Sequence, residues 1–77
     1  MGQTPEMRSK LASAVGQRIR AIREKRGLSQ EQLAALCDCH RTYVGMIERA
    51  EKNISVVVLS KFAKALRTTM SSLLEGL

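Results

Sequence analysis

The run Cys37-Asp38-Cys39-His40-Arg41-Thr42 gathers the side chains with the most chemistry to offer. Two thiols and an imidazole within four residues are metal-ligand types. A structural zinc site needs four well-placed ligands. The 77-residue chain holds only two cysteines and one histidine, with no closing pair elsewhere. Core packing is therefore the stronger reading for Cys37 and Cys39 over metal binding or redox sensing, since free cysteine is a good small core filler. No metal or other cofactor is expected. Catalysis is not expected either. The single histidine has no carboxylate at a helpful spacing, the serines fall mostly at helix-cap positions, and there is no glycine-rich phosphate loop. Arg41 and Thr42 offer hydrogen bonding instead. A guanidinium can give two parallel bonds to guanine O6 and N7, and a threonine can meet a thymine methyl or a base acceptor.

The elements around that run read as helices. Leu11, Val15, Ile19 and Ile22 form one amphipathic stripe. Thr4-Pro5 or Ser9 can start this first helix, and Gly27 can stop it. Ser29 is an N-cap, and Gln32 three residues on completes a capping box. Leu33 and Leu36 supply the apolar face of a short second helix, which ends near Asp38. A third helix runs from about His40 to Arg49, with Val44 and Ile47 turned inward. Ser55 caps a fourth helix that faces the core with Leu59, Phe62, Ala63 and Leu66. Thr69 caps a last short helix carrying Leu73 and Leu74. The expected fold is all-α, a compact five-helix domain over residues 11–77, preceded by a flexible or helix-extending segment at 1–10. Only 3% of the residues are aromatic against 44% hydrophobic, which suits packed helices better than a β-sandwich.

The formal net charge is +6. Residues 1–27 carry seven Lys/Arg against two acidic residues, residues 28–53 three against four, and residues 54–77 three against one. A basic chain of this size suits an acidic partner, nucleic acid or an anionic membrane. The basic residues are not confined to one helix face with bulky apolar residues opposite, which disfavours a membrane-surface peptide. No apolar run approaches the roughly 20 residues needed to span a bilayer. The N-terminus lacks the apolar stretch of a secretory signal. A cytoplasmic protein with reduced thiols is expected.

The segment from Gln30 to Arg49 reads as helix, turn, helix. Ala34 is the small residue where its two helices cross, and the pair must lean on a first and a fourth helix to bury its core. "IRAIREKRGLSQEQLA", "RTYVGMIERAEKN" and "LSKFAKAL" resemble the phage-repressor-like (XRE) helix-turn-helix family, over roughly Val15 to Leu74. "RTYVGMIERAEKN" is similar in particular to the restriction–modification controller proteins. The resemblance implies a lambda-repressor-like fold with the motif at about 29–49, and a sequence-specific regulator of transcription acting as a homodimer on a palindromic operator. Double-stranded DNA and a second copy of the chain are the expected partners, with RNA polymerase a further one. Phage repressor, antitoxin-type repressor and a protein–protein module without DNA binding are the alternatives. Asp38 and Arg67 stand where the family often has glycine, and Ala50 where it often has glycine or asparagine. The resemblance also implies a partly buried ion pair between Arg23 and Glu48.

In such a motif the N-terminal residues of the second helix lie on base edges in the major groove. Here these are His40, Arg41 and Thr42, with Tyr43, Gly45 and Met46 further along. Tyr43 either stacks on the motif or touches DNA, and Met46 is either a base contact or merely exposed. Gly45, having no side chain, would let DNA approach closely. Gln30 can hold a phosphate with its amide and the free N–H groups of its helix. Ser29, Lys52 and Asn53 are further backbone contacts. Met70, Leu73, Leu74 and Leu77 either close the monomer core or form the dimer interface; their number at the chain end favours the interface.

Overall fold

The computed structural model describes residues 5–77, with side chains from Lys10 onward. Five helices follow in order: α1 (Pro5–Lys25), α2 (Gln30–Leu36), α3 (Arg41–Glu48), α4 (Val56–Ala65) and α5 (Met70–Leu74). Among the described residues there is no strand. The first helix is longer than the other four, at 21 residues. Proline stands at its first position, where its missing N–H costs no hydrogen bond. Thr4 and most of the expected segment 1–10 lie outside the residues whose side chains are described.

Local chemistry sets the starts. Ser29 Oγ accepts from the Gln32 N–H at 3.0 Å, and the Gln32 side chain accepts from the Ser29 N–H at 2.8 Å, a complete capping box. Ser55 Oγ caps α4 through the Val58 N–H, and Thr69 Oγ1 caps α5 through the Ser72 N–H. The ends share one solution. After α1, α2, α3 and α4 the chain turns through a left-handed residue: Gly27, Asp38, Ala50 and Arg67. In each case the next residue's N–H returns to a carbonyl of the helix: Leu28 to Arg23, Cys39 to Ala34, Glu51 to Met46, Thr68 to Ala63. These are Schellman closures. Only the first uses glycine, the residue with no steric cost there.

The core is Val15 and Ile19 of α1, Leu33 and Ala34 of α2 with Cys37, Val44 and Ile47 of α3, Leu59, Phe62 and Ala63 of α4 with Leu66, and Leu73 of α5. Two sequence expectations need correction. Leu36 is 60% exposed. A helix turns about 100° per residue, so a face set by Leu33, Ala34 and Cys37 leaves Leu36 on the flank. Leu73 has no exposed surface in the monomer. It completes the core, with α5 packed on both α1 and α4, so it is not available to a dimer interface. Arg18 secures that packing. Its Nη1 donates to the carbonyls of Ser72 and Glu75, acceptors that the end of α5 would otherwise leave open.

Where α1 crosses α3 the backbones nearly touch. A Cβ at Gly16 would meet the Ile47 carbonyl oxygen and come within 2.8 Å of the Glu48 carbonyl oxygen. This glycine, unnoticed in the sequence, sets the depth at which α3 seats against α1.

Candidate nucleic-acid interface

Helix α3 presents its inner side to the core through Val44 and Ile47 and its outer side to solvent. His40 is its N-cap: Nδ1 accepts the Thr42 N–H at 3.1 Å. One ring nitrogen is thus spent on the fold, on a residue that is otherwise exposed. Arg41 and Thr42 follow as exposed residues in the first turn. Tyr43 is half-buried and packs against the core, so its ring is committed in part to the fold. Met46 is half-buried on the same helix.

Gln30, Arg41, Thr42, Gly45 and Arg49 line one open cleft of about 200 Å³ between the start of α2 and the outer face of α3. Three of these, Gln30, Arg41 and Thr42, were expected contacts. Arg49 was not. Its position at the C-cap of α3 looked like the end of a helix, and charge alone does not tell a surface cation from one reaching back over the helix. The expectation for Gly45 is corrected. Gly45 is buried rather than open to DNA, because the Arg49 guanidinium lies across it; a Cβ there would come within 2.9 Å of Arg49 Nη1. Lys52 and Asn53 are exposed but line a different cleft, with Leu11, Ala12, Val15, Ile47 and Ile54. Ser29 is exposed at the start of α2; its oxygen accepts within the capping box, which leaves its O–H free to donate.

A buried polar network fixes the two helices of the motif to α1. Arg23 Nε donates to Glu48 Oε2 at 2.7 Å and Nη2 donates to Oε1 at 3.1 Å. Arg23 Nη1 donates to the Leu28 carbonyl at 2.8 Å. Gln30 Nε2 donates to Glu48 Oε1 at 3.0 Å, which orients the Gln30 amide at the cleft wall. Hydrogen bonding to Glu48 raises the Arg23 pKa above its ordinary value, against the opposing effect of burial. Among the described residues no buried side-chain nitrogen or oxygen lacks a partner.

The cysteines stand apart from this face. Cys37 is buried in the core, and burial pushes its thiol up to about 11. Cys39 is half-buried against the core, and burial together with Asp38 raises its thiol as well. Both are protonated at neutral pH, the form suited to packing rather than to nucleophilic or metal chemistry. Among the described residues no group of three or more His, Cys, Asp or Glu gathers as a metal site would require. No helix there is long and apolar enough to cross a membrane.

A short helix lying across the start of a solvent-facing second helix, with polar side chains on the outer turn, is the architecture of a helix-turn-helix protein. The chain matches the family described as helix-turn-helix over residues 19–73, and it belongs to that family. It is a helix-turn-helix transcriptional regulator homologous to restriction–modification control proteins. Control protein C.SmaI of Serratia marcescens is 43% identical over 60 residues, which span 78% of this chain and 71% of that relative. The crystal structure of the restriction-modification controller protein C.AhdI from Aeromonas hydrophila matches with a TM-score of 0.79 at 44% identity, covering 80% of this chain and 94% of that one. The master regulator for biofilm formation SinR, solved in complex with DNA, matches with a TM-score of 0.75 at 32% identity, covering 79% of this chain and 98% of that one.

Proposed function

We propose that the protein is a cytoplasmic, sequence-specific DNA-binding regulator that occupies a palindromic operator as a homodimer and controls a restriction–modification locus. The observation that carries this reading is the cleft where Gln30, Arg41, Thr42 and Arg49 converge on the outer face of α3. Arg41, Thr42 and His40 read base edges in the major groove, with Tyr43 and Met46 at the margin of that surface. Ser29, Gln30, Lys52, Asn53 and Arg49 hold the phosphates and set the register. Arg23 and Glu48 position the motif without touching DNA. RNA polymerase is a further partner in this reading.

One domain presents one α3 and too few base contacts for selective binding. Two copies related by a two-fold axis place the recognition helices about 34 Å apart, one turn of DNA. Leu74 and Leu77 are 42% and 48% exposed, and with half-buried Met70 they supply apolar surface at the chain end for that contact. Val56 and Val57 at the start of α4, 72% and 66% exposed, are a second apolar surface that the sequence reading passed over. Leu74→Glu tests the choice, because charge is strongly disfavoured at an apolar interface. The expected product is a folded monomer by circular dichroism and sedimentation, with much reduced affinity for the DNA upstream of its own coding sequence. A mutant that stays dimeric and binds normally would move the interface to Val56 and Val57. Footprinting of the parent on the same DNA tests the regulator reading itself: symmetric half-sites are expected, and salt-insensitive, sequence-independent retention would refute it.

A further inference from the structure

Past the left-handed turn at Ala50, Glu51 swings back beside Arg49. Arg49 Nε donates to Glu51 Oε2 at 2.9 Å and Nη2 donates to Oε1 at 3.2 Å. Both side chains are about half exposed, at 55% and 52%. Among the described residues nothing else accepts from the guanidinium: the other nearby carboxylate, Glu48, already receives Arg23 and Gln30. Yet this guanidinium borders the cleft shared with Arg41 and Thr42. The fork of N–H donors that fits a carboxylate also fits a phosphate. The chain's own carboxylate therefore sits on the donors that DNA would use.

We propose that Glu51 is an internal competitor for Arg49, displaced when a DNA phosphate takes its place, and that it sets how tightly and how salt-sensitively the protein binds DNA. The inference rests on the reading that the outer face of α3 meets DNA. Its physical basis is an exchange of one anion for another. A free cation that neutralises a phosphate releases about one counterion and adds about one unit to the slope of log affinity against log salt. A cation already paired with a carboxylate gains less affinity on meeting the phosphate, because its own pair must first break, and the freed carboxylate, taking up little salt of its own, flattens the slope only slightly. The hydrogen bond from Arg49 holds the Glu51 carboxyl below its usual range, so the competitor stays charged at neutral pH. Exposed ion pairs are weak, so the phosphate wins at modest cost.

The experiment is a double-mutant cycle of Glu51→Gln and Arg49→Ala. Binding is read by fluorescence anisotropy over a salt series, on the upstream duplex and on an unrelated duplex of equal length. Glu51→Gln should bind both duplexes about two- to fivefold more tightly at low salt, as removal of a weak exposed pair allows. Its salt slope should steepen slightly, by less than the roughly one unit that a whole phosphate contact is worth. Both changes should vanish in the Arg49→Ala background. Unchanged affinity and slope in Glu51→Gln would overturn the proposal. So would a gain that persists without Arg49, since Glu51 would then act as a general repulsive charge. A parent protein that binds neither duplex would instead remove the DNA reading on which the proposal stands. Both pair members are exposed, so melting curves should coincide across the cycle, and any folding defect would show there.

Discussion

Two Arg–Glu pairs in this molecule have nearly the same geometry and opposite surroundings. Arg23 and Glu48 meet through Nε to Oε2 at 2.7 Å and Nη2 to Oε1 at 3.1 Å, with side chains only 10% and 2% exposed. Arg49 and Glu51 meet through the same atoms at 2.9 Å and 3.2 Å, with side chains about half exposed. Distance does not separate them; solvent and further partners do. The buried pair links residues 25 apart in sequence and carries added bonds from Gln30 and to the Leu28 carbonyl. The exposed pair links residues two apart and ties no helix to another. Removing one member of a buried pair strands a charge in low dielectric, whereas water replaces a lost exposed partner. One pair therefore holds the motif in place, and the other is the one that the proposed DNA contact would exchange.

The largest effect that tests this contrast is Glu48→Ala. It leaves the Arg23 guanidinium buried with only the Leu28 carbonyl, and loss of about 3–5 kcal/mol is expected. In a domain this small each kcal/mol shifts the melting temperature by about 4–8 °C. The matched change Glu51→Ala should leave the melting temperature unmoved. Equal melting shifts for the two mutants, by circular dichroism without DNA, would erase the distinction.

Next comes Gly16→Ala. The added methyl meets backbone carbonyls of Ile47 and Glu48 rather than a flexible side chain. Helix α3 must then move away from α1 and stretch the Arg23–Glu48 bonds. Overpacking of this kind costs roughly 1–3 kcal/mol. Its coupling to Glu48→Ala should be visible as non-additive stabilities, while its stability effect should add simply to that of Glu51→Ala.

Arg41→Ala moves the test to the exposed side. Loss of a two-bond base contact should weaken operator binding by roughly 1–3 kcal/mol and relax preference at one position of each half-site. Arg49→Ala should weaken matched and mismatched duplexes alike. A titration on both duplexes separates the two arginines, and a selective loss for Arg49→Ala would make it a base reader.

The helical order was legible because its punctuation is local. Ser29 with Gln32, Ser55, Thr69 and Gly27 each act within four residues of themselves, so the sequence shows both partners of the interaction. The faces were less legible. Leu36 and Leu73 are both leucines at helical spacing, but burial depends on which neighbouring helix covers them, and only the packed molecule shows that α1 and α4 seal Leu73 while Leu36 is left largely exposed. At the candidate interface Gln30, Arg41 and Thr42 could be named from their places at helix starts. The Arg23–Glu48 pairing came from family resemblance rather than from spacing. Arg49 escaped notice because its role comes from lying over Gly45, and Gly16 because a mid-helix glycine carries no pattern of its own.

The smallest effect concerns the turn that lets the exposed pair form. Ala50 has φ 61°, between Arg49 and Glu51. Alanine in that region brings its Cβ against its own carbonyl, a strain glycine does not feel. Ala50→Gly should therefore stabilise the fold, less the extra entropy that glycine has in the unfolded chain, for a net gain of about 0.5–1 kcal/mol. Asp38 and Arg67, at φ 55° and 56°, set the scale. Aspartate is among the residues that tolerate the left-handed region, so Asp38→Gly should gain least. Arg67→Gly should lie nearer Ala50→Gly, reduced by loss of the arginine stem from the surface. Thermal melts of the three single mutants test the order. A destabilised Ala50→Gly would mean that the side chain at this turn holds more than conformation. The turn would then be rigidly coupled to the Arg49–Glu51 pair, and that pair would no longer differ from the buried one in its bearing on the fold.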